Sequence, residues 1–204
     1  MLSLSHDEVS ASSGSLLENM AGDTSQRLAG LRLLFTYQAT YPGKKLLFMG
    51  DEFGQRTGWD PKAELDWGAL ELRAHMAVQE TVRDLNALYC ELPALHADDA
   101  DHTGFRWLDP DDAERSVIAY LRLSGEALAV VVLNFSATDY DEYVVGAPRQ
   151  GAYKIVFESD IVAREEDRIP TAGVVQTVAR AVMGCSYALS LRLPALSGLV
   201  LVPA

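Results

Sequence analysis

Met1-Leu2-Ser3-Leu4-Ser5-His6-Asp7-Glu8 opens the chain and decides how the rest is read. The apolar run Met1-Leu2-Ser3-Leu4 predicts a strand, and a polar His6-Asp7 pair leaves its C-terminal end. In a (β/α)8 barrel, that end of a strand is where catalytic groups are placed. A closed barrel flanks every strand on both sides, and here nothing precedes the first. The chain has 204 residues, whereas a complete barrel typically needs about 250. The expectation is therefore the last part of something larger.

The next segments extend the pattern. Asp23-Thr24-Ser25 supplies helix N-cap candidates, and Leu28, Leu31, Leu34, Phe35 and Gln38 follow at helical spacing. Tyr41-Pro42-Gly43 ends that helix. Lys44 to Gly50 is a short, almost wholly apolar segment behind two lysines, the pattern of a parallel strand buried on both faces. Asp51 to Trp67 is polar, aromatic and glycine-containing, a candidate functional loop. A second helix is predicted from about Leu70 to Tyr89, with Val78, Val82, Leu85 and Tyr89 on one face. Strand, helix, strand, helix makes two β/α units.

Beyond residue 100 the texture changes. Pro93 to Thr103, with Asp98, Asp99, Asp101 and His102, reads as a linker or surface crossing. Eight strand-like runs follow: Gly104–Leu108, Ser116–Arg122, Ala127–Phe135, Tyr143–Gly146, Ala152–Glu158, Gly173–Ala179, Ser186–Leu193 and Leu199–Val202. Turns are expected at Asp109-Pro110, Ser124-Gly125, Pro148 to Gly151 and Ala195 to Gly198. Many short strands with regular turns predict an antiparallel β-sandwich. The expected fold class is thus α/β plus all-β. Residues 1–92 form the last two β/α units of a barrel, 93–103 a linker, and 104–204 the sandwich.

Composition narrows the partners. Lys and Arg number 17 against 29 Asp and Glu, a formal net charge of -12. That balance argues against nucleic acid or an anionic membrane surface. Cys90 and Cys185 have no metal-site spacing and read as free thiols in a reducing, cytoplasmic compartment. No apolar run reaches the ~18 residues of a membrane span, and no basic leader precedes the first strand. No cofactor or metal is expected.

Taken together, these segments resemble the C-terminal part of glycogen branching enzymes of the α-amylase superfamily. The residues that carry the likeness are Leu2 to Val9, Gly22-Asp23, Pro42 to Gly50, Glu52-Phe53, Gln55, Trp59 and Leu65-Asp66-Trp67. Later pieces are Val82 to Asn86, Gly104-Phe105, Glu114 to Val117, Asn134-Phe135 and Leu193-Pro194. The resemblance implies that residues 1–5 and 45–49 are the seventh and eighth barrel strands. It implies that His6 and Asp7 match the last catalytic motif of the superfamily. Retaining chemistry on an α-glucan uses a nucleophilic carboxylate and a carboxylic acid about 5–5.5 Å apart; in the family these come from earlier strands. Asp7 would be a third carboxylate that stabilises the oxocarbenium-like sugar ring, and His6 would hydrogen-bond the same sugar. The activity implied is formation of α-1,6 branches by transfer of an α-1,4-glucan segment, with the chain by itself inactive. A related trehalose-forming type of glucan hydrolase and a non-catalytic glucan-binding module are the alternatives.

Other residues have less specific readings. Glu52 reads equally as a solvated loop acid and as a glucan-facing or site-supporting residue. Trp59 reads equally as a sugar-stacking platform and as packing, whereas Trp67 reads as packing. His75, His96 and His102 read as surface histidines. Two departures from the family pattern stand out. Ser10-Ala11-Ser12-Ser13 replaces a His-Gly-Lys segment, and Asp51 occupies a position where the family has an amide or a small residue.

Overall fold

The computed structural model describes residues 4–9, 13–160 and 173–204. Its helices begin where the side chains can cap them. A short helix, α1 (Leu16–Asn19), starts at Ser15, which bonds the Glu18 N–H while Glu18 bonds back to Ser15. The long helix α2 (Thr24–Thr40) starts at Asp23 with the same reciprocal box to Gln26. Two otherwise unpaired N–H groups are satisfied each time. Tyr41 ends α2, as its sequence predicts. Helix α3 (Arg73–Glu91) begins three residues later than expected, because Trp67–Glu71 is a 3-10 turn.

Among the described residues eight strands follow: β1 (Phe105–Asp112), β2 (Val117–Ser124), β3 (Ala127–Asn134), β4 (Tyr140–Ala147), β5 (Ala152–Glu158), β6 (Val174–Gln176), β7 (Tyr187–Leu193) and β8 (Ser197–Pro203). Six form one antiparallel sheet in the order β1-β2-β3-β8-β5-β6, and β4 pairs with β7 in a second. The expected turn at Asp109-Pro110 is absent. Both residues lie inside β1, which is an edge strand with register shifts on either side of Asp109. An edge strand can carry a proline because no ladder bond is needed from its missing N–H.

The six-stranded sheet is covered on both faces. Along β3, Ala129, Val131 and Leu133 join one core with Leu28, Leu31, Phe35 and Val82 of the helices. The alternate residues Leu128, Val130 and Val132 join a second core with Val145 and Leu189 of the small sheet. Strand period two sends neighbours to opposite faces, so β3, buried from Leu128 onward, is apolar along its length. β8 divides likewise, with Val200 toward the helices and Leu199 and Leu201 toward β4 and β7.

Buried polar ties join helices, linker and sheet. Arg122, fully buried in β2, donates to the carbonyls of Thr40 (2.6 Å), Leu95 (3.1 Å) and Gly104 (3.3 Å), and pairs with Asp99 at 2.5 Å. Residues 93–103 therefore do not simply cross the surface, since Ala94 and Leu95 are also fully buried. Thr40 and the Tyr120 hydroxyl meet at 2.7 Å, and Arg32 of α2 donates to the Ser159 carbonyl at 3.0 Å.

Barrel strands are expected at 1–5 and 45–49, and among the described residues neither segment carries a strand ladder. Met1 to Ser3 lie outside the described residues. Residues 44–48 carry no strand ladder, and among the described residues the backbone link between the segments is one bond, Leu4 N–H to the Leu46 carbonyl (3.3 Å). A parallel strand pair needs a run of such bonds.

Candidate functional site

The expected site residues gather on one rim. Ser5 to Val9 forms a tight turn in which Glu8 folds back, its Oε2 accepting from the Ser5 N–H (2.7 Å) and the Ser5 hydroxyl (2.8 Å). These bonds hold the Glu8 carboxyl below its ordinary range. The turn projects His6 and Asp7 into solvent, with His6 Nε2 3.3 Å from Asp7 Oδ1. Val9 anchors the far side, its carbonyl accepting from the Trp59 N–H at 2.6 Å.

Three rings bridge the turn to the following segments. His6 lies 6.1 Å from Phe48, and Phe48 meets Trp59 edge to face at 5.1 Å. Trp59 is partly buried and packs on the helix-side core. His6, Asp7 and Trp59 are thus brought together. Glu52 lies on the loop after Phe48, where its Oε2 accepts from the Gly50 N–H at 2.8 Å and stiffens the turn.

Asp51 sits underneath. It is 5 % exposed, and its Oδ2 accepts a long bond from the Phe48 N–H (3.3 Å). Burial pushes its carboxyl up to about 7, and the nearby charges of Glu52 and Glu8 push the same way. The rest of the loop is pinned. Gln55 donates to the Thr57 carbonyl and accepts from the Asp66 N–H, and Arg56 holds Asp66 through two bonds of 2.6 and 3.0 Å. His75, expected at the surface, is buried in α3 with Nδ1 3.0 Å from the Phe53 carbonyl. Val78 and Val82, three and seven residues on, give its sequence position away, because that spacing places it on the inner helix face. The Glu8 fold-back also has a signal, the Ser-x-x-Glu spacing of a capping box.

Chemically, the rim offers the His6 imidazole, the Asp7 carboxylate and aromatic edges, a set suited to hydrogen-bonding a polyhydroxylated neutral ligand. No group of three or more metal-ligating side chains occurs among the described residues. No helix among them is long and apolar enough to cross a membrane.

Comparison with known proteins gives the following likenesses. Residues 107–204 match the family described as alpha amylase, C-terminal all-beta domain. The 1,4-alpha-glucan branching enzyme GlgB of Nitrosococcus oceani is 44% identical over 98% of this chain, which spans 27% of that relative. The GlgB of Aromatoleum aromaticum is also 44% identical, over 100% of this chain and 32% of its own length. The chain thus spans under a third of these curated relatives and matches their C-terminal part. Among solved structures, the debranching enzyme of Nostoc punctiforme superposes with a TM-score of 0.60 at 22% identity, over 93% of this chain and 33% of that one. AmyP in complex with maltose superposes at 0.61 with 15% identity, over 90% and 36%. At such identities the likeness speaks for the fold alone. Over essentially its whole length the chain is similar to 1,4-alpha-glucan branching enzymes, and its residues 107–204 match the alpha-amylase C-terminal all-beta domain.

Proposed function

We propose that this chain supplies the C-terminal part of a 1,4-alpha-glucan branching enzyme. The observation that carries the reading is 44% identity to the N. oceani enzyme across 98% of the chain. Residues 1–92 are then the last two β/α units of a catalytic barrel, 93–103 the connection, and 104–204 the sandwich domain. The partner is an α-glucan, with neither nucleic acid nor membrane involved, and the compartment is the cytoplasm. The reaction is a retaining double displacement. A carboxylate attacks the anomeric carbon of an α-1,4 link and releases one glucan end, which takes up a proton from the acid. The 6-hydroxyl of a second glucan then attacks the glycosyl-enzyme, loses its proton to the same group, and forms the α-1,6 branch.

In this scheme the nucleophile and the acid come from other strands of the barrel. Asp7 accepts hydrogen bonds from sugar hydroxyls and supports the positive charge that develops on the ring. His6 donates to the same sugar. Such contacts matter most where they strengthen toward the transition state. Glu52 and Trp59 shape the mouth of the site, the first by holding the Gly50 turn and the second by backing Phe48.

The test is a chimera in which this chain replaces the matching C-terminal part of the N. oceani enzyme. Branching of amylose is read as new α-1,6 links. The chimera is expected to branch, and this chain by itself is not. Asp7→Asn in the chimera is expected to lower turnover about 10²–10³-fold, the usual loss for one such electrostatic contact, with the fold intact. Near-normal turnover in that variant would remove Asp7 from the reaction. Branching by this chain on its own would overturn the division of labour.

A further inference from the structure

A cavity of about 230 Å³ lies between α2 and α3, beside Lys45 and Leu47. Phe35, Leu47, Val82 and Leu85 give it an apolar lining, and Lys45, Asn86 and Tyr89 supply polar groups. None of these residues takes part in the rim around His6 and Asp7.

Lys45 is unusual in this setting. Its Nζ donates to the Tyr41 carbonyl and lies 5.1 Å from the centre of the Tyr89 ring. No carboxylate among the described residues is in ion-pair contact with it. The acid nearest in effect, Asp99, is already committed to the buried Arg122 at 2.5 Å and accepts from the Tyr89 hydroxyl at 3.2 Å. A half-buried ammonium therefore faces an apolar cavity without its own counter-charge. Burial accordingly depresses the Lys45 amine to about 8; Asp99 opposes the shift, while Arg122 and Lys44 add to it.

We propose that this cavity binds a small monocarboxylate with an apolar body, its carboxylate paired with Lys45 Nζ and its body against Phe35, Leu47, Val82 and Leu85. The volume fits: an apolar cavity of about 150 Å³ takes a benzene ring, and this one is larger. The charge fits because a carboxylate supplies the missing partner in a partly desolvated place, where such a pair gains more than at the surface. Occupation favours the ammonium, so binding takes up a proton. Affinity is greatest below about pH 8 and falls about tenfold for each pH unit well above it, as Lys45 loses its charge.

The experiment uses the full 204-residue chain carrying [ε-13C]lysine, in which Lys44, Lys45, Lys62 and Lys154 are the lysines. Benzoate is titrated at pH 7, with benzamide and inorganic phosphate as the neutral and the non-apolar counterparts. Expected are a saturable shift of the Lys45 resonance with benzoate, an upward move of its titration midpoint, and at least about tenfold weaker effects with benzamide and phosphate. Lys45→Met is expected to abolish benzoate binding. Should that variant fail to fold, the Lys45 midpoint in the unsubstituted chain decides. An unmoved midpoint at saturating benzoate, a response to benzamide equal to that to benzoate, or the absence of saturation would overturn the proposal.

Discussion

Arg122→Met is the substitution that tests how the helices are held to the sheet. Methionine keeps much of the volume and removes the guanidinium. Four contacts go: those to the Thr40, Leu95 and Gly104 carbonyls and the pair with Asp99. Asp99 is left with its side chain 8% exposed and its main positive partner missing. Breaking a buried pair from one side commonly costs about 3–5 kcal/mol. For a chain of this size each kcal/mol corresponds to about 2–4 °C in Tm, so a fall of about 6–20 °C is expected. The assay is urea and thermal unfolding followed by far-UV circular dichroism. Adding Asp99→Leu removes the stranded charge, so the double variant should be more stable than the sum of the two single losses, by about 0.5–3 kcal/mol. A loss below about 1 kcal/mol for Arg122→Met, or strict additivity in the double variant, would refute the view that this pair is a buried, coupled tie.

Asp51 titrates near 7 in the fold against its ordinary 3.8. The folded state therefore binds more protons between those values, and this group's contribution to stability declines as pH rises from about 4 to about 7. Asp51→Asn should then gain on the parent across that window, by up to about 4 kcal/mol at pH 8; parallel stability–pH curves for the two would disprove it. A Cβ at Gly198 would sit 2.7 Å from Leu133 Cδ2 and 2.9 Å from Thr36 Cγ2, so Gly198→Ala should cost about 1–3 kcal/mol in urea unfolding, and a neutral result would show that α2 can retreat. Of the two free thiols, exposed Cys90 should react at once with a disulfide reagent, and buried Cys185 only on unfolding; two fast thiols would contradict the burial of Cys185.

Strands were legible where alternation or a long apolar run persisted, and β5 runs over the same residues as its sequence predicts. Helix α2 was legible because Asp23 and Tyr41 mark its ends chemically. What sequence reading missed depended on contacts far along the chain. Arg122 reads as a strand residue, and only the approach of Thr40, Leu95 and Gly104 shows why a cation is tolerated there. Asp109-Pro110 looks like a turn because proline lacks a ladder donor, yet an edge position removes that objection. At the site, the sequence singled out His6, Asp7 and Trp59 separately, without showing that they meet. The engagement of Glu52 with its own turn and of Trp59 with Phe48 was not legible, since both are local geometries that residue type does not encode.

The two-faced character of the large sheet bears on how such a region can be inherited. A gene rearrangement that delivered only the eight strands to a new host would present Tyr120, Val131, Leu133 and Val200 to water, because their cover comes from α2 and α3. Exposed apolar patches of that kind promote association. Breakpoints that yield a soluble product should therefore fall ahead of Asp23, carrying both long helices along, rather than at the start of β1. The unit that evolution can move is larger than the all-beta domain that sequence families recognise.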